Sequence, residues 1–496
     1  MSINVPSCGG KDMSMKDIRL EQADPCDLEG LREAIRDNDK EQKTCPIEMD
    51  RIIIQNRAIE RLPEIINEFA KGDKKKVLLV SDATSPYLRG SKSVKEEIYF
   101  LLSRSFDVNW FVFDNHDHVL HADDEESKKL EERIKAFDPE IVVGIGGGTV
   151  TDICKYSTYQ VDQKETPLVI VQTALSVNAF SDGISIMIKN GVKDSIETRY
   201  PNVLIIDLDV IEKAPVERNL AGYGDCLSTL TGPLDWYMAN ALNMNHSYTD
   251  IAVDIMHKQD LQLLEASARL AQKDQEALRL LARVLTISGL AMGIAGESCP
   301  SSGSEHIMTH LLDMCADIQN RDVAFHGAQV AVGTVFATIA WDILLEEFEP
   351  KSVDIDACFP TEEEMKPIVH EAFSWISEQA AEECFSRYQK KLALWREQKE
   401  TLKAFLENWD TFRTEIKERF VKPEYLVKQM HEAGCPTHYA QMTPMIDKAT
   451  GRWAVQCCHL YRNRFTLIDF LYYIGWWNDE FVERVMERAG ALDAGL

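Results

Sequence analysis

The chain has 496 residues, 45% hydrophobic and 27% charged, which is the composition of a globular protein long enough for two structural domains. Acidic residues outnumber basic ones 81 to 54, and the resulting net charge of −27 excludes nucleic acid and anionic membrane as main partners, because its field repels both. No continuous apolar run reaches the roughly 18 to 20 residues of a membrane span. The start MSINVPSCGGKDMSMKD has no apolar secretory core, so a cytoplasmic protein without membrane insertion is expected.

Residues 1–50 read as a polar, acidic N-terminal extension with one short helix in LEGLREAIRDNDKEQ. From 51 to 212, helical and strand patterns alternate. The helical stretch RAIERLPEIINEFAKG leads to strand VLLVSD at 77–82, helix SKSVKEEIYFLLSRS and strand NWFVFDN at 109–115. Helix DDEESKKLEERIKAF, strand EIVVGIGGG and helix TVTDICKYSTYQ follow, then strands PLVIVQT at 167–173 and NVLIIDLDVI at 202–211. Such alternation predicts an α/β domain with a doubly wound parallel sheet. From 213 to 496 strand signals become rare and helical periodicity dominates, which predicts an all-α second domain. Within it, the Glu-, Lys- and Trp-rich stretch 345–410 is expected to form surface helices, and IGWWNDEF to be core or subunit contact. The cluster His116, His118 and His121 reads as a solvated loop. The twelve cysteines have no regular spacing and are expected to be reduced thiols; the neighbours Cys457 and Cys458 fit disulfide geometry poorly.

The segment from Ile141 to Asp152 is a strand, a glycine turn and a helix start. Consecutive glycines let a ligand approach the backbone, and the helix start offers free N–H groups and a positive dipole end, which suits a pyrophosphate. Glycines also serve strand-to-helix turns that bind nothing, so the turn alone is weak. Asp82, at the end of an earlier strand, is placed to bond a ribose hydroxyl and repel a 2′-phosphate, favouring NAD(H) over NADP(H); the commoner role of such an Asp is a turn cap. In the helical region Asp225 in GYGDCLSTL, His306 in SGSEHIMTH and His326 in AFHGAQVAVG offer one carboxylate and two imidazoles, a three-ligand set for Zn²⁺ or a similar cation. A lone histidine is more often a hydrogen-bonded or surface residue, and only the three segments together point to a metal. His310 lies one helical turn after His306, as ligand, proton relay or support.

The ordered set GIGGGTVTD, GYGDCLSTLTGPLDW, SGLAMGIAGESCPSSGSEH and AFHGAQVAVGT resembles the iron-containing alcohol dehydrogenase and dehydroquinate synthase superfamily, and within it the glycerol-1-phosphate dehydrogenase branch. HEAGCPTHYAQM and YRNRFTLIDFLYYIG extend the resemblance over about residues 50–480. It implies a nucleotide domain and a helical domain with a metal between them, ligated at Asp225, His306 and His326. Gly146, Gly147, Gly148, Thr149 and Asp152 match the pyrophosphate turn, and Thr173 and Ser181 match cofactor contacts. Thr229 stands where iron-type members carry a fourth, histidine ligand, which points to Zn first, with Ni or Fe as alternatives. Cys299 replaces the arginine of an S-R-P motif, and VQTALSVNAFSDGISI departs from the usual loop, although Asp182 and Gly183 match its end.

The implied chemistry is hydride transfer between NAD(H) and a small polyol phosphate or hydroxyketone, in the first instance reduction of dihydroxyacetone phosphate, with Asp182 and His310 as candidate proton relays. Arg462 and Arg464 are placed either to meet a substrate phosphate or to pair with acidic neighbours. Cys299 favours an unphosphorylated polyol or aldehyde as the alternative substrate. A dehydroquinate synthase-like cyclase would need a basic cluster that the motifs lack, and a non-catalytic nucleotide-binding protein would not need the triad. A homodimer or higher homo-oligomer is expected.

Overall fold

The computed structural model describes residues 20–496 except 73–74, 85–87, 90–91, 115–119 and 190–191. His116 and His118 therefore lie outside the described residues, while His121 is half-buried.

Helix α1 (Leu28–Asn38) precedes strand β1 (Arg51–Gln55), helix α2 (Leu62–Phe69), strand β2 (Lys76–Asp82), helix α3 (Val94–Leu102) and strand β3 (Asp107–Phe113). Helix α4 (Asp124–Phe137), strand β4 (Ile141–Gly146), helix α5 (Gly148–Asp162) and strand β5 (Leu168–Gln172) come next. A hairpin of β6 (Ile184–Lys189) and β7 (Val192–Glu197) then leads to β8 (Val203–Asp207). Six strands form one parallel sheet in the order β1-β8-β5-β4-β2-β3, as the alternating pattern predicts. Val77 and Leu79 face one layer with α2 and α3, while Leu78 and Val80 face the layer shared with the helical part.

Three features depart from the sequence expectation. RIIIQ forms edge strand β1 where no strand was expected, because an apolar run of three residues carries no period. The strand expected over 202–211 stops at Asp207, whose carboxylate accepts the N–H groups of Asp209, Arg57 and Ile59 at 3.0–3.1 Å and starts the helical turn Leu208–Ile211. The antiparallel β6–β7 pair was also missed; its signal in the sequence is Asn190-Gly191 between alternating residues, a hairpin pattern.

The described part of the N-terminal extension, from residue 20, contributes to the core. Leu28, Leu31, Ala34 and Ile35 of α1 are buried, as is Met49, and the Cys45 N–H donates to the Ile294 carbonyl at 2.7 Å.

Beyond β8 the regular elements among the described residues are helices, joined by loops. Helices α6 (Val216–Cys226), α7 (Gly232–Ala241), α8 (Asp250–Glu265), α9 (Gln275–Ala295), α10 (Ser304–Ile318) and α11 (His326–Glu347) surround the site. By length and overall composition α9 and α11 could cross a membrane, but their apolar windows are 78% and 100% buried inside the protein. They are core helices. In the 345–410 stretch most charged residues are at least partly exposed, Lys391 being the buried exception, whereas Trp395 and Trp409 are buried, Trp395 stacking on Tyr473 with centroids 4.9 Å apart. Trp477 of IGWWNDEF is buried. The eleven described cysteines are all free.

Candidate metal and nucleotide site

Two helix crossings assemble the triad. Helices α6 and α11 meet at bare backbone: a Cβ on Gly224 would stand 2.3 Å from the Gly327 carbonyl, and one on Gly327 would stand 1.8 Å from the Ala221 carbonyl. Only glycine allows that approach, and it brings Asp225 beside His326. The start of α10 supplies His306. The Asp235 carboxylate accepts the Ser304 N–H at 2.8 Å, and the Glu305 carboxylate accepts the N–H of Gly303 and the hydroxyl of Thr231.

One ligand atom each from Asp225, His306 and His326 lies within 4.8 Å of the other two. The Nδ1 of His306 faces Glu305 Oε1 at 3.1 Å, and the Nδ1 of His326 faces Asp313 Oδ2 at 3.4 Å. Each ring is thereby oriented by a carboxylate and keeps Nε2 for a cation. Asp225 Oδ1 is buried and receives no hydrogen bond of good geometry, with His306 Nε2 3.4 Å away. Burial alone would lower the His306 pKa, but the Asp225 and Glu305 carboxylates outweigh it and push it up to about 9. Two anionic groups around a ligand imidazole, and an acceptor with no donor, fit a divalent cation. The His326 side chain is 27% exposed, against 7% and 1% for His306 and Asp225, so the site opens on the His326 side. His310 stands beside the triad, its ring 5.4 Å from that of His326 and 6.0 Å from that of His306.

Where a fourth ligand would fall, Thr229 donates to the Cys226 carbonyl instead. The nearby Asp260 is 5% exposed, and burial pushes its pKa up to about 8 against the Thr229 hydroxyl, which lowers it. The folded protein thus keeps Asp260 protonated at neutral pH while the unfolded chain ionises it near pH 4, so this carboxyl costs stability as pH rises from about 4 to 8. Asp260→Asn is expected to remove that slope. Its stabilisation over the wild type grows by about 1 kcal/mol per pH unit between pH 5 and 8. Thermal or urea unfolding across that range checks this, and a pH-independent difference contradicts it.

Opposite the triad, β4 ends at Gly146, Gly147 caps α5 with φ −90° and ψ −163°, and no side chain caps the helix start. The three glycines have different tasks. A Cβ on Gly146 would meet Val150 at 2.7 Å and one on Gly148 would meet Val177 at 2.8 Å, whereas one on Gly147 would find nothing closer than 4.0 Å. Gly147 is therefore the open position for a ligand, and its neighbours are glycine for packing. Thr149 is half-buried in the first turn, and the Thr173 N–H donates to the Gly146 carbonyl at 3.1 Å, so both flank the turn. Asp152 is 6% exposed, 3.9 Å from Lys155. Asp82 accepts from Lys95 Nζ and, at 2.7 Å, from the Thr84 hydroxyl, so its carboxylate already has local partners besides any ribose.

Two further expected residues lie buried in the loop after β5. Ser181, expected at the cofactor, is fully buried and donates to the Thr286 carbonyl at 2.8 Å. Asp182, expected to relay a proton, is 3% exposed and holds Lys155 Nζ at 2.6 Å. Both side chains have these protein partners in the folded chain, Thr286 for Ser181 and Lys155 for Asp182. Arg464 was not tied to a place by the sequence. It stands beside Cys299, where its guanidinium donates to the Ser302 carbonyl and, at 2.7 Å, to the Ser298 hydroxyl.

Comparison with known proteins gives the family. Residues 53–215 match the family model described as iron-containing alcohol dehydrogenase. The chain is 31% identical over 285 residues to the glycerol-1-phosphate dehydrogenase [NAD(P)+] of Hyperthermus butylicus, covering 58% of this chain and 76% of that one. It is 27% identical over 315 residues to the enzyme of the same name from Bacillus subtilis, covering 62% and 77%. Among solved structures, glycerol dehydrogenase from Schizosaccharomyces pombe superposes with a TM-score of 0.53 at 15% identity, over 89% of this chain and 92% of that one. The iron-containing alcohol dehydrogenase of Thermococcus thioreducens gives 0.51 at 15%, over 90% and 98%. The structural matches carry the fold and the sequence matches carry the descent: the chain belongs to the iron-containing alcohol dehydrogenase family, in the branch of the glycerol-1-phosphate dehydrogenases.

Proposed function

We propose that the protein is a metal-dependent oxidoreductase that moves a hydride between a nicotinamide dinucleotide and a small polyol phosphate, with reduction of dihydroxyacetone phosphate to glycerol-1-phosphate as its reaction. The observation that carries this reading is the triad: three ligand atoms within 4.8 Å, two of them on imidazoles backed by carboxylates, opposite an uncapped glycine turn. Asp225, His306 and His326 hold the cation, for which one oxygen and two nitrogen donors favour Zn²⁺. Gly147 and the N–H groups that open α5 hold the pyrophosphate. Asp82, at the end of β2, supports NAD(H) over NADP(H), in competition with Lys95. When bound, the cation supplies Lewis acidity at the substrate oxygen and the nucleotide supplies the hydride.

The chain's own part is orientation and proton handling. Glu305 and Asp313 fix the two ligand rings, and the sealed walls around Asp225 keep water from the ligand oxygen. His310, one turn from His306 and beside His326, is the group we assign to carry the proton to the alkoxide oxygen. Cys299 favours an unphosphorylated polyol as a second reading: burial pushes its thiol well up, so it adds no charge for a phosphate. Arg464 beside it supports the phosphorylated one.

The test is metal analysis of the purified protein together with NADH oxidation over matched phosphorylated and unphosphorylated ketones. About one Zn²⁺ per chain and preferential consumption with dihydroxyacetone phosphate are expected. A Zn²⁺-loaded protein that leaves NADH untouched with every ketone overturns the reading.

A further inference from the structure

One loop, residues 174–182, touches both halves of the site. On the nucleotide side its Ser176 and Val177 lie against the glycine turn, 4.0 Å and 2.8 Å from where Cβ atoms on Gly147 and Gly148 would stand. On the metal side the Asn178 N–H donates to Asp225 Oδ2 at 2.9 Å, and the Asn178 amide donates to the Ser288 hydroxyl, which donates to that of Ser301. Helix α9 receives the loop at Gly289, where a Cβ would stand 2.3 Å from Ser181 Oγ and 2.4 Å from the Asn178 carbonyl.

A lysine with no exposed side chain anchors this loop to the helix that follows the glycine turn. Lys155 donates to the carbonyls of Ala179 and Ile184, and to Asp182 Oδ1 at 2.6 Å. Asp182 in turn accepts the Ile184 N–H at 3.1 Å. Burying an ammonium and a carboxylate is costly unless geometry and further hydrogen bonds repay it, and here the ammonium serves a loop rather than a surface. Lys155 lies seven residues after Gly148, two turns along one face of α5.

We propose that Lys155 is a positioning residue that makes the 174–182 loop a shared wall, so that nucleotide at the glycine turn and metal at Asp225 strengthen each other's binding. A loop held rigidly by α5 transmits any shift at Gly147–Gly148 to the Asn178 N–H, and from there to the Asp225 carboxylate. The inference rests on the metal and nucleotide sites proposed above.

Such coupling is reciprocal, which makes it measurable without turnover. In the wild-type protein NADH is expected to tighten Zn²⁺ binding by about fivefold or more, and Zn²⁺ to tighten NADH by the same factor. Titration of Zn²⁺ into metal-free protein with and without NADH reads the first, and NADH fluorescence with and without Zn²⁺ reads the second. Lys155→Met alone would leave a buried, unpaired carboxylate, so the variant is Lys155→Met/Asp182→Asn. It is expected to bind both ligands with the coupling factor reduced to within twofold of one. If that variant does not fold, Asn178→Ala cuts the Ser288 anchor without touching a buried charge, and it is expected to reduce the factor at least twofold. Wild-type protein that binds Zn²⁺ and NADH independently overturns the inference alone, as does a folded variant with undiminished coupling. Wild-type protein that binds no Zn²⁺ overturns the proposed function as well.

Discussion

Asp225→Ala is expected to empty the metal site and lower kcat/KM by about three powers of ten or more. A cation polarising a substrate oxygen is worth several kcal/mol, and each power of ten in rate corresponds to about 1.4 kcal/mol. Asp225 is the one carboxylate of the triad, so its loss leaves two imidazoles and no anionic ligand for a divalent ion. The same substitution frees the Asn178 N–H, which compounds the loss on the loop side. Glu305→Gln makes the graded comparison. It keeps the ligand but weakens the carboxylate that orients His306, and a cost of about 10- to 100-fold in metal affinity is expected. Metal content after dialysis and steady-state kinetics check both. Asp225→Ala protein with wild-type metal content and activity would show that the three side chains are neighbours without being ligands.

Much of the parallel sheet was legible because strands buried on both faces read as unbroken Val, Ile and Leu runs between amphipathic helices. VLLV, IVV and LVIV are of this kind. The triad was legible as residue types, since Asp225, His306 and His326 are each flanked by glycine or sit at a helix start. What brings them together was not. Gly224 and Gly327 read individually as helix-weakening residues, and only the crossing of α6 with α11 shows them to be one contact. The surroundings of Ser181 and Asp182 were hidden for a related reason. Sequence order placed them in the cofactor loop, but their partners are distant in the chain: Thr286 for Ser181, and for Asp182 a buried lysine twenty-seven residues away. The glycines at 146–148 were legible together as a turn, but not that packing leaves open space only at Gly147.

Removal of a second buried lysine is expected to cost the most stability. Lys391 and Asp469 are both fully buried, 2.5 Å apart, and Lys391 also donates to the His459 carbonyl at 2.6 Å and to that of Arg464 at 3.3 Å. Asp469 accepts the N–H and hydroxyl of Thr466, at 2.8 and 3.1 Å. One ion pair thus fastens the segment 459–466 to the helix Glu378–Trp395, on which Trp395 stacks against Phe465 and Tyr473. Lys391→Met leaves the Asp469 charge without its partner, and breaking a buried pair in this way costs about 3–5 kcal/mol. Lys391→Met/Asp469→Asn removes both charges and is expected to regain most of that loss, as measured by urea unfolding. The consequence reaches the cleft, because the segment carries Arg464, whose guanidinium props Ser298 and Ser302 just ahead of Gly303 and His306. The double variant should therefore be stable yet weaker for dihydroxyacetone phosphate, with KM raised more than kcat is lowered. A double variant as unstable as Lys391→Met would place the stabilisation in the surrounding packing and not in the pair.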